Sequence, residues 1–154
     1  MDRVETLCAE HRQIRILAAR LNEFIARSTP PDPVEFLYFR REFGRTLIRH
    51  LKKEDWLIYP RLKASSRSEL REIAARLCSE LGSFEEAFGS YGRRWTSGGI
   101  SKDWPGFREE THAMVQLLHR RMALEESELY PLVDVWTPSA ARLGSRVERQ
   151  TTSP

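Results

Sequence analysis

Residues 50–60 read HLKKEDWLIYP and residues 121–131 read RMALEESELYP. In a common frame Glu54 aligns with Glu125 and Tyr59-Pro60 with Tyr130-Pro131, while Arg121 stands where the first copy has His50. LCAEH at 7–11 recurs as LCSEL at 77–81, so the two halves of the chain up to about residue 136 repeat with an offset of about 70 residues.

Hydrophobic periodicity shows what is repeated. Val4, Leu7, His11, Ile14, Ala18, Leu21 and Ile25 follow one another at spacings of three and four, the stripe of an amphipathic helix. A second stripe runs Phe36, Phe39, Phe43, Leu47, His50, Glu54, Leu57, with Pro60 where that helix should end or kink. A third runs Leu70, Ile73, Leu77, Leu81, Phe84, Phe88, Tyr91, and a fourth Phe107, Thr111, Met114, Leu118, Arg121, Glu125, Leu129, Leu132. Asp32, Pro33 and Glu35 predict a helix start after STPPDP, and Ser66 with Glu69 a second capping box. TSGGISKDWPG, residues 96–106, reads as the most flexible connection. The spacing therefore predicts an all-α protein, an up-down-up-down four-helix bundle built from a duplicated helical hairpin over residues 1–136. Residues 137–154 lose the periodicity and read as a flexible C-terminal tail.

Composition narrows the function classes. A chain of 154 residues with 40% hydrophobic and 31% charged residues suits one domain with a real core. No apolar run approaches the roughly 20 residues needed to cross a bilayer. The start, MDRVETLCAEHRQ, is too charged for a signal peptide, so a cytoplasmic location is expected. The net charge of +3 comes from interspersed acids and bases, which is no nucleic-acid footprint. Cys8 and Cys78 stand alone and read as buried thiols.

The informative residues are polar ones on the apolar stripes: His11, His50, Glu54, Arg121 and Glu125. Buried charge is costly unless it is paired or coordinates a metal. His50 and Glu54 lie one helical turn apart on one face, and Glu125 is the repeat mate of Glu54. Two imidazoles and two carboxylates suit iron, manganese or zinc.

The E-H of helix one, the H-x-x-x-E-(E/D)-x-x-(L/I)-Y-P element and the doubled hairpin resemble the hemerythrin-like, or HHE cation-binding, domain over residues 2 to about 136. Members of that family are four-helix bundles holding a non-haem di-iron centre. They carry or sense dioxygen, handle nitric oxide, repair iron-sulfur clusters or store iron. The resemblance implies that His11, His50, Glu54 and Glu125 hold one iron, with the carboxylates bridging to a second. That second iron would need histidines at positions 81, 85 and 121, where this chain has Leu81, Glu85 and Arg121. Its site reads as degenerate, with Arg121 standing in for the cation and Glu85, Glu54 or Glu125 as its partner.

Simpler readings compete. His11 alone would be a core histidine, and Glu54 with Glu125 could be salt-bridged to Arg121 in a metal-free bundle. His119 would lie about 120° round the helix from Glu125, so it reads as a flank residue that serves as a substitute ligand only if the helix is distorted. His112 reads likewise. Phe36, Phe39, Phe43, Phe84 and Phe88 read as packing, Trp56, Trp95, Trp104 and Trp136 as caps on the core near helix ends. Lys52-Lys53 and Arg93-Arg94 read as solvated charge, and Tyr59 and Tyr130 as packing at helix ends in preference to a hydrogen bond onto a metal ligand.

Two functions follow. One is a protein binding at most one metal, iron favoured, that senses oxygen, nitric oxide or redox state, its partner a diatomic ligand. The other is a metal-free bundle serving as a regulatory or protein-interaction module. No catalytic or organic-cofactor motif is readable.

Overall fold

The computed structural model describes residues 3–82 and 84–136, so the expected tail at 137–154 falls outside the described residues. These residues form an all-α helical bundle, with no strand among them. The elements are α1 (Arg3–Ile25), α2 (Pro33–Lys53), α3 (Tyr59–Lys63), α4 (Ser68–Leu81), α5 (Phe84–Arg94), α6 (Ser97–Lys102), α7 (Trp104–Leu124) and α8 (Tyr130–Trp136). Helix α1 packs against α2 and α7, and α3 packs against α4.

The helix joints carry the most physical information. Between α2 and α3, and again between α7 and α8, the chain winds through one wide π-helical turn, Glu54–Ile58 and Glu125–Leu129. The amide of Tyr59 bonds Glu54 O and that of Tyr130 bonds Glu125 O, each five residues back. The cause is the proline one position later. Pro60 and Pro131 have no N–H, and the ring would strike the carbonyl four residues earlier in an ordinary helix. Opening that turn by one residue relieves the clash and lets the helix continue. The predicted end or kink at Pro60 is therefore a widened turn.

That extra residue corrects the predicted stripes. Beyond Glu54 the buried position is Ile58 rather than Leu57, which is 47% exposed. Beyond Leu129 it is Val133, with Leu132 only half-buried. Trp56, in the widened turn, is 70% exposed beside Lys52 and caps nothing, whereas Trp95 and Trp104 are buried.

Other boundaries also differ. The third stripe is two helices, because α4 ends at Gly82, whose φ of 55° only glycine adopts readily and whose N–H caps Cys78 O. Asp32 accepts from the amides of Val34 and Glu35, with Pro33 opening α2, as the sequence predicts. The box expected at Ser66 is absent. Helix α4 starts at Ser68 without a side-chain cap, and Glu69 pairs with Arg67 instead. The supposedly flexible connection contains α6, capped by Thr96 and anchored by buried Ile100, and Asp103 caps α7.

The core is in two parts. A larger cluster joins Ile14, Leu21, Phe39, Leu47, Phe107 and Leu118, with Phe88 packed on its edge. A smaller one joins Leu7, Ile58, Leu62, Leu77, Leu129 and Tyr130. Along α1, and along α2 and α7 with the π turns that follow them, the buried polar residues between the two clusters are His11, His50, Glu54, Arg121 and Glu125. A polar slab thus interrupts an otherwise apolar interior.

Candidate metal centre

His11, His50, Glu54 and Glu125 are all buried, and each offers a ligand atom within 4.8 Å of the other three. His11 comes from the middle of α1, His50 from the last turn of α2, and the two glutamates open the two π turns. The imidazoles meet edge to face with centroids 4.6 Å apart. His11 Nε2 lies 3.4 Å from Glu125 Oε2, and His50 Nε2 lies 3.5 Å from Glu54 Oε1.

Each ring is turned inward by a carboxylate on its outer nitrogen. His50 Nδ1 bonds Glu10 Oε2 at 3.0 Å, and Glu10 is gripped by Lys53. His11 Nδ1 bonds Glu126 Oε1 at 2.9 Å, and Arg15 clamps both oxygens of Glu126 at 2.8 and 2.9 Å. When Nδ1–H donates outward, Nε2 presents its lone pair inward, which is the tautomer a metal requires. Lys53, which reads as solvated charge in the sequence, belongs to this outer layer.

Electrostatics separate the two carboxylates. Burial pushes Glu54 up, but the nearby His50, the Arg121 charge and the Tyr130 hydroxyl together hold its pKa well below the usual carboxylate range. Burial and the Glu54 charge push Glu125 well above that range, against the pull of Arg121. Burial and the charge of His50 depress His11. Burial also works against a charged His50, yet Glu54 and Glu10 outweigh it and raise its pKa.

Tyr130 takes the role that the sequence reading set aside in favour of packing. Its hydroxyl donates to Glu54 Oε1 at 2.7 Å and stands 2.9 Å from His11 Nε2. Five residues along an ordinary helix would put it about 140° round from Glu125. Across a π turn, residue five closes on residue zero and faces the slab. Its repeat mate Tyr59 is buried with a hydroxyl that has no hydrogen-bond partner among the described residues.

The repeat-related second position is different in kind. Arg121 donates from Nε to Glu125 Oε1 at 2.6 Å and from Nη2 to Glu54 Oε2 at 3.2 Å, with Asp55 at 3.8 Å. The two repeat-matched glutamates are thus its partners. Glu85 sits beside Asp55, whose pKa is raised by burial and by that second acid despite Arg121. Leu81 is half-buried in the smaller core cluster. A fixed cation and an aliphatic side chain do not fit a second metal.

The first position does fit one. His50 Nε2 is buried with no hydrogen-bond partner among the described residues, since Glu54 at 3.5 Å fails to close a bond. A buried orphan nitrogen aimed at a second imidazole and two carboxylates matches the donor chemistry of a divalent cation. His119 is half-buried and His112 exposed, and neither joins the cluster.

The hemerythrin HHE cation-binding domain model matches residues 2–133. The chain belongs to that family. No curated protein and no solved structure matches it. Within the HHE framework one half of the centre carries both histidines with their orienting carboxylates, and the other carries Arg121 and Leu81.

Proposed function

We propose that this HHE domain holds one metal ion, iron by preference, through His11, His50, Glu54 and Glu125, and that it senses oxygen, nitric oxide or redox state. The observation that carries the reading is His50 Nε2, a buried ring nitrogen with no hydrogen-bond partner among the described residues. Manganese and zinc suit the same donors. Iron bound there would supply one-electron redox chemistry and an open position for a diatomic molecule. The chain's own residues do the rest. Glu10 and Glu126 orient the rings, Tyr130 holds Glu54, and Arg121 balances the carboxylates where a second cation would otherwise be needed. Dioxygen carriage, cluster repair and iron storage, which rely on two irons, are disfavoured by Arg121.

This reading includes an up-down-up-down four-helix bundle made from a duplicated hairpin. Two π turns starting at repeat-matched glutamates and ending at repeat-matched Tyr-Pro pairs support it. A second reading, a metal-free module, draws support from Arg121, which already satisfies both carboxylates.

Metal content per chain, measured by mass spectrometry on protein expressed with iron and purified without a chelating tag, tests the proposal. About one metal per chain, lost in His50→Ala, is the expected result. An empty, fully folded protein would favour the metal-free module, and two irons would overturn the role given to Arg121.

A further inference from the structure

Toward the α6 end of the larger core cluster a cavity of about 440 Å³ opens between α1, α2 and α5. Its size falls in the range that takes a small organic ligand. Its walls are mainly apolar, with Leu21, Phe43, Phe88, Tyr91 and Trp95 contributing most of the body. Leu21 lies ten residues along α1 from His11, about 15 Å at helical rise, so this cavity is separate from the polar slab.

Its cause is readable in the backbone. Gly44 on α2 and Gly92 on α5 both line it. A Cβ on Gly92 would meet nothing within 4 Å, and one on Gly44 would only touch the Phe88 ring at 4.0 Å. Two missing side chains leave the space.

The charge in the cavity is one-sided. Arg40 and Arg41 line it, and no acidic residue does among those described. Arg41 is exposed, but Arg40 is half-buried, with its guanidinium over the Phe107 and Phe36 rings at 5.6 and 6.0 Å. Arg40 makes no ion pair with an acid among the described residues, unlike Arg15, Arg76, Arg94 and Arg121. Burial lowers its pKa, and only Tyr91 opposes that shift. The nearby carboxylate Glu110 is engaged elsewhere, by Trp95 Nε1 at 2.8 Å and by Arg94. A partly desolvated guanidinium beside an apolar cavity, without a counter-charge, asks for an anion carrying an apolar body.

We propose that this cavity is a binding site for a small aromatic carboxylate, its carboxyl group on Arg40 and its ring among Phe43, Phe88, Tyr91 and Trp95. The planar fork of arginine suits a carboxylate held by two parallel bonds. The surrounding rings favour an aromatic over an aliphatic body, by stacking or edge contact.

The test is calorimetric titration of the full chain with 3-phenylpropionate and 2-naphthoate, each beside its neutral primary amide. The acids should bind at least about tenfold more tightly than the amides, as a charge-assisted bond in a partly buried site implies. Arg40→Gln should erase that preference, and Gly92→Leu, which fills the cavity without touching its charge, should weaken acid and amide alike. Amide chemical shifts in the wild-type protein should move around residues 88–97, a readout that needs no variant. The proposal is overturned if acid and amide bind equally, if Arg40→Gln keeps the preference, if the shifts move elsewhere, or if neither acid binds at millimolar concentration.

Discussion

Replacing Arg121 with methionine keeps the apolar stem and removes the guanidinium. Glu54 and Glu125, 0% and 1% exposed, then lose their shared cation. Breaking a buried ion pair from one side costs about 3–5 kcal/mol. The lower end applies, because Glu125 already favours its proton and Glu54 keeps His50 and the Tyr130 hydroxyl beside its charge. A loss of about 3 kcal/mol lowers the melting temperature of a chain this size by about 10 °C. The sign with pH follows from the same two groups. The folded pKa of Glu125 is raised, so its contribution is fully present below its unfolded pKa and is lost as pH rises. The folded pKa of Glu54 is lowered, so its contribution is present above its unfolded pKa, and Arg121 supplies part of it. Removing Arg121 worsens both at higher pH. The deficit between parent and Arg121→Met should therefore shrink only as pH falls toward about 2, where Glu54 takes up its proton, and widen above the usual carboxylate range as Glu125 gives its proton up, measured by thermal melts in metal-free buffer. Adding Glu54→Gln and Glu125→Gln should recover most of it. A variant that melts within a degree or two of the parent at pH 7.5, or a deficit that ignores pH, would refute the account of Arg121 as an internal counter-ion.

Three further outcomes follow from the same geometry. Glu126→Gln removes the charged acceptor that orients His11, and metal affinity in a competition titration should fall by about 10–100-fold while the melting temperature of the metal-free protein changes little. Leu81→His combined with Arg121→His should raise metal content from one to two per chain, since Asp55 stands at the repeat position of Glu126 and can orient a new ring. Content that stays at one in a folded double variant would show that the α4–α5 break has lost the required geometry. Gly82→Ala forces an L side chain to φ 55° and ψ −153° and should cost about 1–3 kcal/mol in urea unfolding, with no change in metal content.

Most of the helical content and the four converging residues were legible because each depends on local spacing. His11, His50, Glu54 and Glu125 stand out as polar residues on apolar stripes, and that pattern needs no tertiary knowledge. What escaped depends on an altered helical period or on contact across helices. A 3.6-residue period places Tyr130 off the slab and Leu57 on the core, and the π turns reverse both assignments. The signal available was the Tyr-Pro pair itself, five and six residues after each glutamate, since a proline there demands an opened turn. The orienting role of Glu10 and Glu126 escaped for another reason. Each sits next to a stripe residue, where solvated charge is the ordinary expectation, and each finds its histidine on a different helix.

The asymmetry between the halves reaches past the ligands to their supports, and this bears on which reading of the protein is stronger. Each histidine is backed by a carboxylate and then a cation, His50 by Glu10 and Lys53, His11 by Glu126 and Arg15. In the second half the repeat mate of Glu10 is Glu80, which has no ring to orient and pairs with Arg76 instead. The mate of Glu126 is Asp55, which drifts toward Arg121 and Glu85. Where the histidines are gone, their orienting layer has gone slack; where they remain, it is complete. A bundle held only by Arg121 and its two acids would gain nothing from two buried imidazoles with inward-facing nitrogens, and apolar residues of similar volume would pack there at lower cost. The intact first half is what the proposed metal between His11, His50, Glu54 and Glu125 would require.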